Sequence, residues 1–158
     1  AGSSVTAEYM KKLNSDGSYT ISSEELKEST REFCGYCASE EQTGRCIAEI
    51  YKNYNYLIDP HTAVGVHCAQ KYLEDVGTSN KVLCVSTASP YKFASNVYKS
   101  LTGTVLDDEF KYIDMLSELT GTIPPKPLSE LRLKKIRFDP SLSCSPSEMF
   151  DCVKKAVE

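Results

Sequence analysis

The chain has no tryptophan, only two histidines, and no apolar run near the roughly 18 residues that a membrane-crossing helix needs. Its eight glycines are scattered singly, so no glycine-rich loop is available to cradle a phosphate. Neither a Gly-x-Ser-x-Gly elbow nor a His-Glu-x-x-His pair occurs, which excludes two common self-contained hydrolytic sites. Strong charge of either sign is also missing. A formal net charge of −4 gives no reason to expect nucleic acid or an anionic membrane as partner. The opening Ala1-Gly-Ser-Ser4 has neither the basic nor the apolar region of a signal peptide and reads as a cloning scar outside the domain.

What cysteine there is comes as an odd number, seven, at irregular spacings. That suits reduced thiols in a cytoplasm better than a disulfide framework. Cys34-Gly-Tyr-Cys37, with Cys46 beyond it, lacks the second close pair that a tetrahedral zinc site needs. It also lacks the preceding strand of a redox motif. Inert thiols are the expectation.

What remains is an ordinary globular composition: 158 residues, 41% hydrophobic and 25% charged, enough for one compact domain with a core. Residues 5–55 read as a helical layer. A helix over Val5–Leu13 stops at Asn14-Ser-Asp-Gly17. Ser22-Ser-Glu-Glu25 and Ser39-Glu-Glu-Gln42 are capping boxes, opening helices through Phe33 and through Tyr54. Ile47, Ile50 and Tyr54 share the core face of the second.

From Tyr56 to Glu158 the pattern turns α/β. Asp59-Pro60 pairs a capping acid with a proline at the first helical position. The helix that follows carries Ala63, Val64, Val66, Cys68, Ala69, Tyr72 and Leu73 and is expected to be buried nearly all round. Lys81–Thr87 is a short run of β-type residues, read as a strand buried on both faces. A helix from Ser89-Pro90 to Gly103 follows, then one over 107–120. Next come the proline-rich connector Thr122–Pro127, a short helix over Leu128–Leu133, a strand over Lys135–Phe138 and a terminal helix from Ser145. The fold class is therefore α/β and helix-rich, with one buried strand–turn–helix unit and a helical amino-terminal layer.

Chemistry could sit at two junctions. Ser86-Thr-Ala-Ser-Pro90 lies where the expected strand ends and a helix begins, the place where open α/β sheets bind ligands and free helix amides attract anions. A plain cap made by Ser89, with Thr87 filling the turn, accounts for the same residues. Ile58-Asp-Pro-His-Thr62 puts His61 at a helix start, where the dipole favours a neutral, hydrogen-bonding imidazole. Asp59 as a simple cap with His61 on the surface fits equally well, and His67 reads as a satisfied core histidine.

These two strings resemble one family. Ile58-Asp-Pro-His-Thr-Ala-Val-Gly65 is similar to the Asp-Pro-His-Thr-Ala segment of threonine synthases of the longer, yeast-and-enterobacterial kind. Ser86-Thr-Ala-Ser-Pro-Tyr-Lys-Phe93 is similar to their Thr-Ala-His-Pro-Ala-Lys-Phe segment, in the same order. Gly121-Thr-Ile-Pro-Pro125 and the helical tail also fit the carboxy-terminal end of those enzymes, so the likeness runs from about Val5 to Glu158.

The resemblance implies the carboxy-terminal part of a fold-type II enzyme. Such an enzyme converts O-phospho-L-homoserine and water into L-threonine and phosphate with pyridoxal 5′-phosphate. Thr87 would face the cofactor's pyridine nitrogen with Ser86 beside it. Asp59, His61, Thr62, Ser89 and Lys92 would line the substrate pocket, and a contact to substrate phosphate is a natural use for Lys92. No catalytic residue would belong to this chain.

Two departures stand out. Ser89 replaces the family histidine, with Tyr91 where the family has a small residue. No lysine lies in a Ser-Phe-Lys-Asp-like context to form the Schiff base. The implied molecule is a piece of a longer enzyme, inactive alone, whose partner is the missing amino-terminal part and whose uncovered apolar helix would promote self-association. A non-catalytic regulatory module and another fold-type II enzyme, such as a dehydratase, are the alternatives.

Overall fold

The computed structural model describes residues 3–137 and 143–157. Among the described residues eight α-helices follow one another: α1 Ser3–Asp16, α2 Ser23–Ser29, α3 Glu40–Tyr54, α4 Pro60–Val76, α5 Ala94–Thr102, α6 Glu109–Thr120, α7 Lys126–Ser129 and α8 Met149–Val157. Single 3-10 turns precede α5 and α8 and follow α7. Among the described residues there is no strand.

Local chemistry sets the helix ends as the sequence suggests. Ser22 and Ser39 each accept the backbone N–H three residues on, while Glu25 and Gln42 reach back to the cap nitrogen. Ser145 and Glu148 repeat the arrangement before α8. Asn55 closes α3 in the left-handed region at φ 50°, a conformation asparagine tolerates better than most residues. α1 begins at Ser3, two residues before the expected start and inside the supposed scar.

α2 ends at Ser29, short of Phe33, because Ser29 and Thr30 turn their hydroxyls onto the carbonyls of Glu25 and Leu26. No packing extends it further. Phe33 is 74% exposed.

The core lies among α3 to α6. α3 packs on α4 and α5, and α5 on α6. The buried apolar set includes Cys46, Ile47, Ala63, Val97, Ile113 and Leu116, and Ile47, Val97 and Leu116 are among the largest side chains fully removed from solvent. A Cβ on Gly44 would come within 3.2 Å of Ser100 Oγ, which shows how closely α3 and α5 approach there. Tyr98 and Tyr112 meet edge-on at 5.9 Å between centroids. The Tyr112 hydroxyl donates to the Leu106 carbonyl and accepts from its N–H, fastening the loop before α6. Tyr54, expected on the packed face of α3, is instead 71% exposed in the last turn of the helix.

Two expectations fail together. Lys81–Thr87 is not a buried strand: it forms no ladder, and Leu83 and Val85 are 89% and 73% exposed. A strand exists only through its neighbours, and the described chain supplies none. α4 is likewise not buried all round. Only Thr62 and Ala63 on it are buried, while Val64, Val66, Cys68, Ala69, Tyr72 and Leu73 are half-exposed. The helical content is as read; the α/β character is not found here. Lys135–Arg137, given to a second strand, is irregular, and Phe138 lies outside the described residues.

Candidate functional site

The amino-terminal end of α4 is built around one carboxylate. Asp59 precedes Pro60, whose missing N–H is not needed in the first helical turn, and Asp59 is fully buried. Its Oδ2 accepts the backbone N–H of His61 at 2.9 Å and lies 3.1 Å from His61 Nδ1. Its Oδ1 accepts the backbone N–H of Thr62 at 3.4 Å and the Thr62 hydroxyl. Burial pushes the Asp59 carboxyl upward, but the hydrogen bonds from Thr62 and His61 outweigh it and hold the group below the usual aspartate range. Asp59 is thus a cap and more than a cap, because two side chains lean on it.

Thr62 carries the connection to the second string. Its Oγ1 lies 3.1 Å from Ser86 Oγ, a contact between residues 24 apart in sequence. His61 extends the other way: its side chain is 64% exposed and its ring sits 4.8 Å from the Phe93 ring. Lys92 Nζ lies 5.7 Å from the centroid of the same ring, within cation–π range. Phe93 therefore serves as a platform shared by an imidazole and an ammonium.

Of the seven residues singled out, six join one neighbourhood at the start of α4 and the turn before α5: Asp59, His61 and Thr62 directly, Ser86 through Thr62, Lys92 through Phe93, and Ser89 as the cap of the turn carrying Lys92. Ser89 Oγ accepts the Tyr91 N–H at 3.3 Å, and its carbonyl accepts the Lys92 N–H at 3.0 Å. The plain capping role describes Ser89. Thr87 follows Ser86 in chain but is exposed, and among the described residues no hydrogen bond engages its hydroxyl.

Two contributors escaped the sequence reading. Phe93, the last residue of the second string, packs half-buried against the core and also supports both His61 and Lys92. Tyr91, noted only as a departure, is buried, and its hydroxyl meets the Thr122 carbonyl at 2.8 Å and Thr122 Oγ1 at 2.7 Å. A tyrosine directly after Ser-Pro, facing a polar loop, was the available signal.

The remaining candidates fall elsewhere. His67 is half-buried and lines a cavity of about 280 Å³ with Cys46, Glu49 and Glu74. Cys34 and Cys37 are exposed free thiols. Two larger cavities, about 350 and 750 Å³, are lined by α3 with α5 and by α1 with α2, and neither contains a residue of the Asp59 network.

With this geometry in view, residues 62–132 match the family model described as threonine synthase, C-terminal. A threonine synthase from Schizosaccharomyces pombe is 35% identical over 101 residues, covering 63% of this chain and 20% of that protein. One from Saccharomyces cerevisiae is 28% identical over 127 residues, covering 72% of this chain and 25% of that protein. The chain thus spans a fifth to a quarter of the length of these relatives. Among solved structures, yeast threonine synthase superposes with a TM-score of 0.68 at 23% identity over 98% of this chain and 29% of that one. PLP-bound threonine synthase from Brucella melitensis does so with 0.58 at 24% identity over 85% and 25%. At those identities the structures speak for the fold. The sequence relatives and the family match support the resemblance carried by the two strings: the chain is similar to the carboxy-terminal part of threonine synthases.

Proposed function

We propose that this chain is the carboxy-terminal part of a threonine synthase whose full-length form converts O-phospho-L-homoserine and water into L-threonine and phosphate. The observation that carries the reading is the Thr62–Ser86 contact, which brings two separately recognised strings into one polar network. Pyridoxal phosphate, when bound, supplies the electron sink for proton movements at the α and β carbons. The residues fit one edge of it: Thr87 offers a hydroxyl with no competing hydrogen bond among the described residues, suited to a pyridine nitrogen, and Ser86 lies next to it. A neutral hydroxyl there leaves the ring less cationic than an aspartate would. The covalent lysine and phosphate loop would come from the rest of the longer protein, so the 158-residue chain alone is inactive.

His61 and Lys92, held against Phe93, line the substrate side, with Lys92 as the cation for the phosphate group. The free thiols fit a cytoplasmic setting. No helix is long and apolar enough to cross a membrane among the described residues. The exposed Leu83 and Val85 and the half-covered α4 would rest on the remainder of the enzyme, and without it they favour self-association. A clean monomer in sedimentation at high concentration would contradict that.

The reading is tested on the full-length protein by Thr87→Ala. Loss of one hydrogen bond to the cofactor should lower kcat by about three- to tenfold with the fold intact. Unchanged kinetics would remove Thr87 from the cofactor site, and absence of threonine formation by the wild type would overturn the function.

A further inference from the structure

A buried carboxylate with four donors around it settles more than a helix cap. Held below the usual aspartate range, Asp59 is ionised at neutral pH and can only accept. Every group touching it must therefore donate, which fixes where the shared protons lie. On the Oδ2 side, His61 already donates its backbone N–H, and Nδ1 at 3.1 Å must carry the ring proton when the imidazole is neutral. The other nitrogen, Nε2, then bears a lone pair. Among the described residues no hydrogen bond engages it, and the ring is mostly exposed.

On the Oδ1 side, Thr62 has a single hydroxyl proton, and the carboxylate takes it. The 3.1 Å contact between Thr62 Oγ1 and Ser86 Oγ then leaves Ser86 as the donor. With its proton committed to Thr62, the oxygen of the exposed Ser86 keeps its capacity to accept. A single acid thus orients two hydroxyls and one imidazole through two branches.

We infer that Asp59 is a positioning residue that holds His61 in the Nδ1–H tautomer and turns the Ser86 proton inward, so that His61 Nε2 and Ser86 Oγ meet the ligand as hydrogen-bond acceptors. This deepens the proposed function and rests on it only for the identity of the ligand. The chemical consequence is a division of labour on the Phe93 platform. Lys92 takes an anionic group. His61 takes a donor, such as the ammonium of an amino acid, a hydroxyl, or the water that the proposed reaction consumes.

The test needs a variant that keeps the cap and removes the second oxygen. Asp59→Ser does so, because serine caps helices about as well as aspartate but its single oxygen cannot serve both the helix amides and the ring. Full-length protein labelled with 15N-histidine is examined at mildly alkaline pH by long-range proton–nitrogen NMR. The resonances missing from His61→Gln are assigned to His61. The wild type should show essentially one neutral tautomer, protonated at Nδ1, and Asp59→Ser a mixture or the Nε2–H form. Circular dichroism reports whether the variant is folded. If it is not, the wild-type tautomer alone decides. An Nε2–H ring in the wild type, or an unchanged tautomer in folded Asp59→Ser, would overturn the inference. Turnover supplies the second arm: kcat should fall about tenfold or more in Asp59→Ser. Wild-type protein with the Nδ1–H ring but no threonine formation would sink the functional reading and leave the positioning role standing.

Discussion

The body from α3 to α6 and the segments around it are written in the same local language, but only one of them is packed. α1, α2 and α3 all start or stop on recognisable capping and turn chemistry, and the box at Ser22 is as complete as the one at Ser39. Yet α3 buries Thr43, Cys46 and Ile47, while α1 and α2 bury nothing. Capping decides where a helix begins. It does not decide whether the helix has anything to rest against, and isolated short helices are marginal in water.

The sharpest way to break that contrast is to remove the same side chain from both regions. Leu116 in α6 is 0% exposed, and Leu26 in α2 is 52% exposed. Leu116→Ala should destabilise the chain by about 2–5 kcal/mol, the usual range for a buried leucine left as a cavity. Leu26→Ala should stay within about 0.5 kcal/mol, as surface changes do. Chemical denaturation of both variants measures the difference. Equal losses would mean that the amino-terminal helices pack on something as well as the body does.

The same contrast explains what could be read in advance. Helix positions were legible because Ser22, Ser39, Asp59-Pro60, Gly77, Gly103 and Gly121 act within a few residues of themselves, and each does what its chemistry suggests. Burial was not legible in the same way. Lys81–Thr87 has the composition of an interior strand, but a strand needs a partner ladder, and composition cannot supply one. The apolar surround of α4 points the same way: it records a requirement for cover that the described residues only half meet. At the candidate site, the two strings were visible as motifs, whereas their meeting through Thr62 and Ser86 depends on tertiary geometry. Phe93 likewise packs against the core, and that its ring also carries His61 and Lys92 is visible only in the folded chain.

A smaller effect sharpens the comparison through pH. Three carboxylates that cap helices are held below their ordinary range: Asp59 in the body, and Glu25 and Glu148 in the flanks. For Asp59, burial opposes the charge and the bonds from Thr62 and His61 overcome it; for Glu25 the bond from Tyr9 leads, and for Glu148 the bonds from Ser145. A carboxyl whose folded pKa is depressed binds fewer protons in the native state than in the unfolded one. Its contribution is therefore complete above the unfolded value and fades as pH falls through the folded value. Only Asp59 couples that fading to the packed core, because it alone of the three is buried. Asp59→Asn keeps a capping side chain but carries no charge to lose. Its stability curve should lie below the wild type at neutral pH and converge on it through the acid limb. Glu25→Gln and Glu148→Gln should leave the slope of that limb unchanged, since their helices can fray without opening the body. Denaturant midpoints collected from neutral to strongly acidic pH give the comparison directly. A wild-type acid limb that Asp59→Asn does not flatten would place the acid sensitivity of the body on some other group.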